Sequence, residues 1–283
     1  MKDTIAVYAL WRDSQSHIQR TLNQFEDLEL LDFDFEYYFY ENDSKDNTVL
    51  ILKDWLKNRK HKFKHENIGA KKFGRVINKE RMEFLCECRN KCKDLLKETT
   101  AKFTILVDSD TIFNKKNLER HLGSIKTLPD CVLSTPNIRQ NIPDFMTEKT
   151  HDSYYDVYPF IDTSLREGLY FTDCPSRKFE DKLNWFVEKP IKVFSAFGGF
   201  ALIKTDILKK VKWSTDGKCD HVNFCKEINK YGSVYLDPKN KVNVEIDLSE
   251  YNLNDMKNTA KQQLYSIATP IEGGVFIHRS YTT

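Results

Sequence analysis

The feature that most constrains this chain is the segment 102–113, in which an apolar run ends in two carboxylates one residue apart. Residues 103–107 do not alternate with polar residues, which is typical of a strand buried on both faces of a sheet. In open α/β sheets, ligands bind beyond the carboxyl ends of the strands. Asp108 and Asp110 follow at that end, and both side chains point the same way if the backbone stays extended.

Two carboxylates directed at one spot suit Mg²⁺ or Mn²⁺ carrying a diphosphate, because these hard cations prefer oxygen ligands. The alternative is a strand that ends in a polar turn, where Asp is favoured because it bonds its own backbone. A bare Asp-x-Asp does not decide between the two interpretations, so the rest of the chain has to.

Apolar segments alternate with segments of helical periodicity along the first half, which indicates an α/β fold with a mostly parallel sheet flanked by helices. We predict strands at about 4–10 and 33–40, and a long helix at about 79–98 that leads into the Asp-x-Asp strand. The polar loops 11–14 and 41–48 then lie at the same edge as the Asp-x-Asp. Loop 41–48 is also rich in residues that begin helices, so a turn with an N-cap explains it equally.

Arg89 falls within the apolar stripe of the long helix. A buried Arg is costly unless it is paired, and Asp108 is a plausible partner. Alternatively, the side chain extends along the helix until its charged end reaches water.

The second half is less regular. Residues 136–190 combine aromatic and acidic side chains without clean periodicity, and Gly198-Gly199 separates two apolar runs, 193–197 and 200–204. A Gly-Gly pair in that setting is a hairpin signal and also lets a ligand approach the backbone. Asp220 reads as the N-cap of the next helix, and 234–236 and 242–246 as short strands. We expect a small antiparallel portion toward the C-terminus.

Bulk properties exclude several classes of protein. The net charge is +2 and no basic block stands out, so we expect no nucleic-acid partner. No apolar run approaches the roughly 20 residues of a membrane span, and residues 5–11 lack signal-peptide flanks. Seven cysteines without such a signal favour reduced thiols over a disulfide framework. Three of them lie in the long helix at offsets that do not share one face, which argues against a zinc site.

In this order, the segments resemble a GT-A glycosyltransferase, a Rossmann-like single-domain fold. The motifs that carry the resemblance extend over nearly the whole chain: the acidic loop 41–48, Arg89-Asn90 in the helix before the Asp-x-Asp, Asp108-Ser109-Asp110, Gly198-Gly199, Asp220-His221 at a helix start, and His278 near the C-terminus.

The resemblance implies a site for a nucleotide-sugar donor and a divalent cation, Mn²⁺ or Mg²⁺. The implied metal ligands are Asp108, Asp110 and His278, although Asp108 could instead contact the ribose or the donor sugar. The implied donor-binding residues are Trp11, Arg12, Glu41, Asp43, Arg89, Asp108, Ser109, Gly198, Gly199 and Arg279. The base that activates an acceptor hydroxyl is expected at Asp220 or His221.

A narrower resemblance, to the fungal capsule-associated mannosyltransferase family and related glycosyltransferases of large DNA viruses, is carried by residues 155–158, 166–168 and 195–200. The chain departs from the usual pattern at the helix start, where two acids are common and His221 takes the second position.

We therefore expect one domain over 1–283, with a nucleotide-binding part at about 1–135 and an acceptor-binding part at about 136–283. The expected activity is metal-dependent transfer of a sugar from a nucleotide-sugar, a UDP-sugar or GDP-mannose, to a glycan hydroxyl. We expect inversion, and the alternative is retention, which needs no such base. The alternatives are a metal-dependent nucleotidyltransferase and a non-catalytic carbohydrate-binding domain. The former would need a Gly-rich basic loop after strand one, and 11–14 contains no glycine. We expect a cytoplasmic location, in the host if the chain is viral.

Overall fold

A computed structural model of the chain describes residues 2–73, 79–143, 150–170, 172–216 and 219–244. The strands are β1 Thr4–Trp11, β2 Asp34–Asn42, β3 His61–Glu66, β4 Phe103–Asp108, β5 Thr111–Ile112, β6 Cys131–Pro143, β7 Thr150–Tyr154, β8 Ile191–Val193, β9 Phe200–Lys204 and β10 Ser233–Val244. The helices are α1 Ile18–Leu28, α2 Thr48–Leu56, α3 Lys79–Asp94, α4 Lys115–Thr127, α5 Phe179–Phe186, α6 Thr205–Lys210 and α7 Asp220–Ile228.

The strands of the described residues form one mixed sheet. Its main path runs in the order β3-β2-β1-β4-β9-β6-β10-β5, while β7 pairs with β6 and β8 pairs with β10. Strands β3, β2, β1 and β4 are mutually parallel, and β9 is antiparallel to both β4 and β6. This confirms the predicted fold class, a mostly parallel α/β sheet with antiparallel strands in the second half.

The Asp-x-Asp strand lies in the middle of this sheet. Residues 103–107 of β4 are all at most 4 % exposed, because β1 and β9 flank the strand and helices cover it. The extended backbone ends at Asp108, and residues 109–110 form a turn. The backbone is therefore not extended from Asp108 to Asp110, and two-residue spacing does not align the two carboxylates. The turn positions Asp110 instead.

Helix α3 ends at Asp94, four residues before the predicted end. Residues 95–97 make backbone bonds to the residue three positions earlier, the tighter pattern common at helix ends. Asn114 is the N-cap of helix α4: its side chain accepts a hydrogen bond from the Lys116 amide, and Asn117 completes a capping box.

The predicted Gly-Gly hairpin is wrong. Strand β8 is only three residues long and pairs with β10, whereas β9 pairs with β4 and β6, so the glycines join strands that do not pair with each other. Both have positive φ, +73° for Gly198 and +68° for Gly199. The two short strands predicted after α7 are one strand, β10, whose pairing with β6 is irregular between Asp237 and Lys241. Pro238, which has no N–H to donate, lies in that interval.

None of the described helices is both long and apolar enough to cross a membrane. All seven cysteines are free thiols, and all except Cys174 are buried.

Candidate active site

A cavity of about 430 Å³ opens at the end of β4. Its wall comes from helix α3, the turn after β4, the loop after β7, the Gly-Gly segment and the start of α7, with Ile138 of β6 and Val244 of β10. Among the predicted site residues, the cavity brings together Arg89, Asp108, Asp110, Gly199, Asp220 and His221. Residues as far apart in the sequence as Arg89 and His221 therefore share one site.

Helix α1 holds the turn that carries Asp110. Three of its side chains donate hydrogen bonds to successive carbonyl oxygens of the turn: Thr21 to Ser109 at 2.5 Å, Arg20 to Asp110 at 3.1 Å and Gln24 to Thr111 at 3.0 Å. The Ser109 hydroxyl lies 3.3 Å from Nε2 of His17. Because these carbonyl groups are hydrogen-bonded to α1, the backbone of the turn is fixed. The side chains of Asp108 and Asp110 line the cavity.

Arg89 is buried, at 7 % exposure, and is paired with two carboxylates. Its Nε donates to Oδ2 of Asp220 at 2.8 Å, and one terminal nitrogen lies 3.8 Å from Oδ1 of Asp108. The guanidinium also lies over the Trp213 ring, 4.8 Å from the centroid. Burial by itself would lower the pKa of Arg89, but the two carboxylates outweigh it and raise that pKa well above its ordinary value. The buried interpretation of Arg89 is confirmed, with Asp220 as its closer partner.

Asp220 is the first residue of α7, and Cys219 holds the N-cap position that was predicted for Asp220. Both Asp220 oxygens are engaged, Oδ2 by Arg89 and Oδ1 by Nδ1 of His221 at 3.1 Å. Burial would raise the pKa of Asp220, but His221 and Arg89 outweigh it and hold that pKa well below its usual range. Asp220 is therefore a weak proton acceptor in this arrangement.

His221 packs against Phe197, with ring centroids 4.1 Å apart, and edge-on against Trp213. Nδ1 lies beside Asp220, whereas Nε2 has no hydrogen-bond partner among the described residues. A buried polar atom without a partner is uncommon and calls for an explanation such as a ligand. Cys219, Asp220 and His221 are also close enough together to form a metal-ligand set. Asp220 is already bonded to Arg89, and burial raises the pKa of the Cys219 thiol well above its ordinary value, so this set is poorly suited to a cation.

Asp108 and Asp110 differ in their surroundings. Burial raises the pKa of Asp108 to about 6, against the opposing effect of Arg89 and with a further increase from Asp110. No salt bridge to the Asp110 carboxylate is found in the described part of the chain. The turn therefore presents oxygen ligands whose charge is only partly compensated, which fits a hard divalent cation.

Sequence reasoning assigned no role to Asp156, a further carboxylate in the cavity wall. Its Oδ2 accepts a hydrogen bond from the Gly198 amide at 2.8 Å, and the next carbonyl, that of Gly199, accepts from the Asp108 amide at 2.8 Å. Burial raises the pKa of Asp156 to about 6, although the Gly198 amide lowers it. The sequence signals were its place among the aromatic and acidic residues of 136–190 and in the segment 155–158, which carried a family resemblance without a residue role.

Close packing explains the two glycines. A Cβ on Gly198 would lie 2.8 Å from the Pro136 carbonyl oxygen, and one on Gly199 only 2.2 Å from Oγ1 of Thr111. The Gly-Gly segment therefore packs directly against the turn after β4, which fixes Asp156 relative to Asp108.

The predicted donor-binding residues near strands β1 to β3 lie together but are heavily bonded. Asp43 accepts hydrogen bonds from the amides of residues 68–70, and Arg12 donates to the carbonyls of Ala70 and Lys71. Glu41 is fully buried, bonded to the Ser44 amide and to His65. Trp11 is 2 % exposed and packs on Phe39. These side chains shape the loop region after the strands. The remaining predicted residues, His278 and Arg279, lie outside the described residues.

Solved structures support the fold. The chain is similar to S. aureus TarS 1–349, with 16 % identity and a TM-score of 0.52 over 93 % of this chain and 66 % of that one. It is also similar to the mannosyltransferase PcManGT from Pyrobaculum calidifontis, in complex with GDP-Man and Mn²⁺, with 10 % identity and a TM-score of 0.52 over 87 % of this chain and 59 % of that one. The chain therefore spans less than two thirds of either protein.

No curated protein matches the chain. Residues 12–212, more than half of it, match the model described as Glycosyl transferase family 2. This match includes the turn that carries Asp108 and Asp110, the helix that carries Arg89, and Gly199, all of which adjoin the cavity. The chain therefore belongs to glycosyl transferase family 2.

Proposed function

We propose that the protein transfers a sugar from a nucleotide-sugar to a hydroxyl group of a glycan acceptor, with inversion and with the help of a divalent cation. The observation that carries the proposal is the cavity at the end of β4, which Asp108 and Asp110 enter from a turn fixed by α1. Family membership supports sugar transfer over nucleotidyl transfer or a purely binding role. We favour a UDP-sugar as donor, with GDP-mannose as the alternative.

The donor set fits Mn²⁺ or Mg²⁺. Asp108 and Asp110 supply carboxylate oxygens, and we propose His278 as a further ligand and Arg279 as a contact to a phosphate oxygen. When bound, the cation would neutralise charge on the departing diphosphate. Arg89 is paired with Asp220 and lies beside Asp108. Its positive charge therefore stabilises the acidic turn with or without the cation.

For inversion, a base must take the proton of the acceptor hydroxyl as its oxygen bonds to the anomeric carbon and the diphosphate leaves. Of the two candidates, the geometry favours His221, because both oxygens of Asp220 are already occupied. Asp220 fixes Nδ1 of His221, which leaves the lone pair of a neutral imidazole on Nε2, for which the described residues supply no partner. Asp220 would also stabilise the imidazolium that forms, as a carboxylate does when it orients a catalytic histidine.

The test is a thermal-shift panel of UDP, GDP and nucleotide-sugars, with and without Mn²⁺. A ligand at a hundredfold its dissociation constant should raise the free energy of unfolding by about 2.7 kcal/mol. We expect the cognate nucleotide to raise the melting temperature only when Mn²⁺ is present. The proposal is contradicted if no nucleotide or nucleotide-sugar shifts the transition in either condition.

A further inference from the structure

Asp156 is a cavity carboxylate for which the proposed reaction has no use. Its Oδ2 is held by the Gly198 amide, and no salt bridge to it is found within the described ranges. The carboxylate is half-buried rather than exposed. A charged group kept in such a place without a cation lowers stability, so a ligand that hydrogen-bonds to it is the natural explanation.

Aromatic side chains line the same cavity as Asp156. They are those of Tyr155, Tyr158 and Tyr170, and Pro159 lies in the lining too. Aromatic side chains together with a fixed carboxylate match the two kinds of surface on a pyranose, which has apolar C–H faces and hydroxyl groups along its edge. A carboxylate accepts hydrogen bonds from hydroxyl groups and can bind two of them at once.

A second observation points to a polar ligand in this cavity. The Thr111 hydroxyl and Nε2 of His221 both belong to residues that line it, and neither has a hydrogen-bond partner within the described part of the chain. Thr111 is 1 % exposed. Buried polar atoms are nearly always bonded, so several orphaned or half-used groups around one cavity indicate missing partners.

The position of Asp156 favours the donor sugar over the acceptor. The Gly-Gly segment links it to the turn after β4 through two hydrogen bonds, Gly198 N–H to Asp156 and Asp108 N–H to the Gly199 carbonyl. Asp156 is thereby fixed relative to the carboxylates proposed to hold the diphosphate, to which the donor sugar is attached.

We propose that Asp156 binds hydroxyl groups of the donor sugar and selects an uncharged pyranose over an anionic one. This inference rests on the proposed function. The carboxylates of Asp108, Asp110, Asp156 and Asp220 outnumber the guanidinium groups of Arg81 and Arg89 in the lining of the cavity. Because Arg89 is already paired with two of these carboxylates, a sugar carboxylate would meet mainly like charge. The hydroxyl groups of an uncharged sugar would instead donate hydrogen bonds to these carboxylate oxygens.

The experiment measures binding by calorimetry in Mn²⁺ with five probes: UDP, GDP, UDP-glucose, UDP-glucuronate and GDP-mannose. Wild type is compared with Asp156→Ala and Asp156→Asn, and Asp206→Asn on the exposed face of α6 is the matched control. For Asp156→Ala we expect an unchanged dissociation constant for the free diphosphate and a loss of about 10- to 100-fold for the neutral nucleotide-sugar, the range for hydrogen bonds to a charged group.

Selectivity gives a readout that a merely structural role would not change. UDP-glucose and UDP-glucuronate differ in charge at one carbon, and we expect wild type to prefer the former and Asp156→Asn to lose most of that preference. If the protein binds the guanine nucleotide instead, the test is whether Asp156→Ala loses affinity for GDP-mannose but not for GDP.

Unchanged nucleotide-sugar binding in Asp156→Ala would overturn the inference while leaving the proposed function intact. Absence of any Mn²⁺-dependent diphosphate binding by wild type would overturn both.

Discussion

Nε of Arg89 donates to Oδ2 of Asp220 at 2.8 Å, and this buried contact joins two residues 131 positions apart. It ties helix α3 to the start of α7, and a terminal nitrogen of the same guanidinium lies 3.8 Å from Asp108 at the end of β4. The Tyr8 hydroxyl donates to the Arg89 carbonyl at 2.9 Å, which connects β1 to the same point. One guanidinium therefore joins the acidic turn to the helix that carries the proposed base.

Arg89→Ala should destabilise the protein by about 3–5 kcal/mol, since removing one partner of a buried ion pair leaves the other charge uncompensated. The measurement is chemical denaturation at neutral pH. Lys57→Ala removes an exposed pair with Asp54 and should change stability by less than about 1 kcal/mol. Equal, small effects of both substitutions would mean that the Arg89 pair adds nothing to stability.

Asp156→Asn should stabilise the nucleotide-free protein above pH 6. Because the folded-state pKa of Asp156 is raised to about 6, the folded protein binds this proton more tightly than the unfolded chain does. The stabilisation that wild type gains from the protonated Asp156 carboxyl is therefore complete below pH ~4 and is lost as the pH rises to about 6.

The Asn side chain still accepts the Gly198 amide and has no charge to desolvate. The gain over wild type should be near zero at pH 4 and reach at most about 2–3 kcal/mol at pH 7.5. Melting curves at both pH values check it. A variant less stable than wild type at pH 7.5 would show that the Asp156 charge is compensated in the apo protein.

The sequence predicted local features well. The buried run before Asp108 and the inward Arg89 each depend on neighbours within a few positions, and both are confirmed. The pairing of Arg89 with Asp220 and the role of Asp156 in the cavity wall depend instead on which loops meet across the sheet, and no local pattern encodes that.

Gly199→Ala should destabilise the protein by about 1–3 kcal/mol or more, because φ is +68° and the new Cβ would approach Oγ1 of Thr111 to 2.2 Å. Gly123→Ala is the control. It lies within α4 with nothing near its Cβ position, so it should stabilise by about 0.5–1 kcal/mol. Adding Thr111→Ala to Gly199→Ala should recover part of the loss. No recovery would mean that backbone strain alone is responsible.

The Gly-Gly segment also shows why the hairpin prediction fails. Two apolar runs around Gly-Gly are compatible with a hairpin or with strands that separate, and only pairing partners decide. Here β9 enters between β4 and β6, and the positive φ values serve close packing against Pro136 and Thr111.

His221→Gln should lower kcat for transfer by about 10²- to 10⁴-fold, the usual contribution of a general base, while Mn²⁺-dependent binding of the diphosphate persists. Asp220→Asn should also lower kcat, because it removes the carboxylate that orients Nδ1. Steady-state kinetics over pH 5–9 with each variant is the measurement. If His221→Gln retains full kcat while Asp220→Asn is inactive, Asp220 is the base.

The acidic turn is central to the account, and Asp110→Ala tests it most directly. The measurement is the release of free nucleoside diphosphate from the cognate nucleotide-sugar, in Mn²⁺ and in excess chelator, for wild type and the variant. We predict that wild type releases the diphosphate only in Mn²⁺ and that the variant releases none. The melting temperature of the variant in the absence of metal should be equal to or above that of wild type, because a repelling charge is gone. Undiminished Mn²⁺-dependent release by Asp110→Ala, or equal release by wild type in chelator, would contradict the assignment of this turn as the metal and diphosphate site.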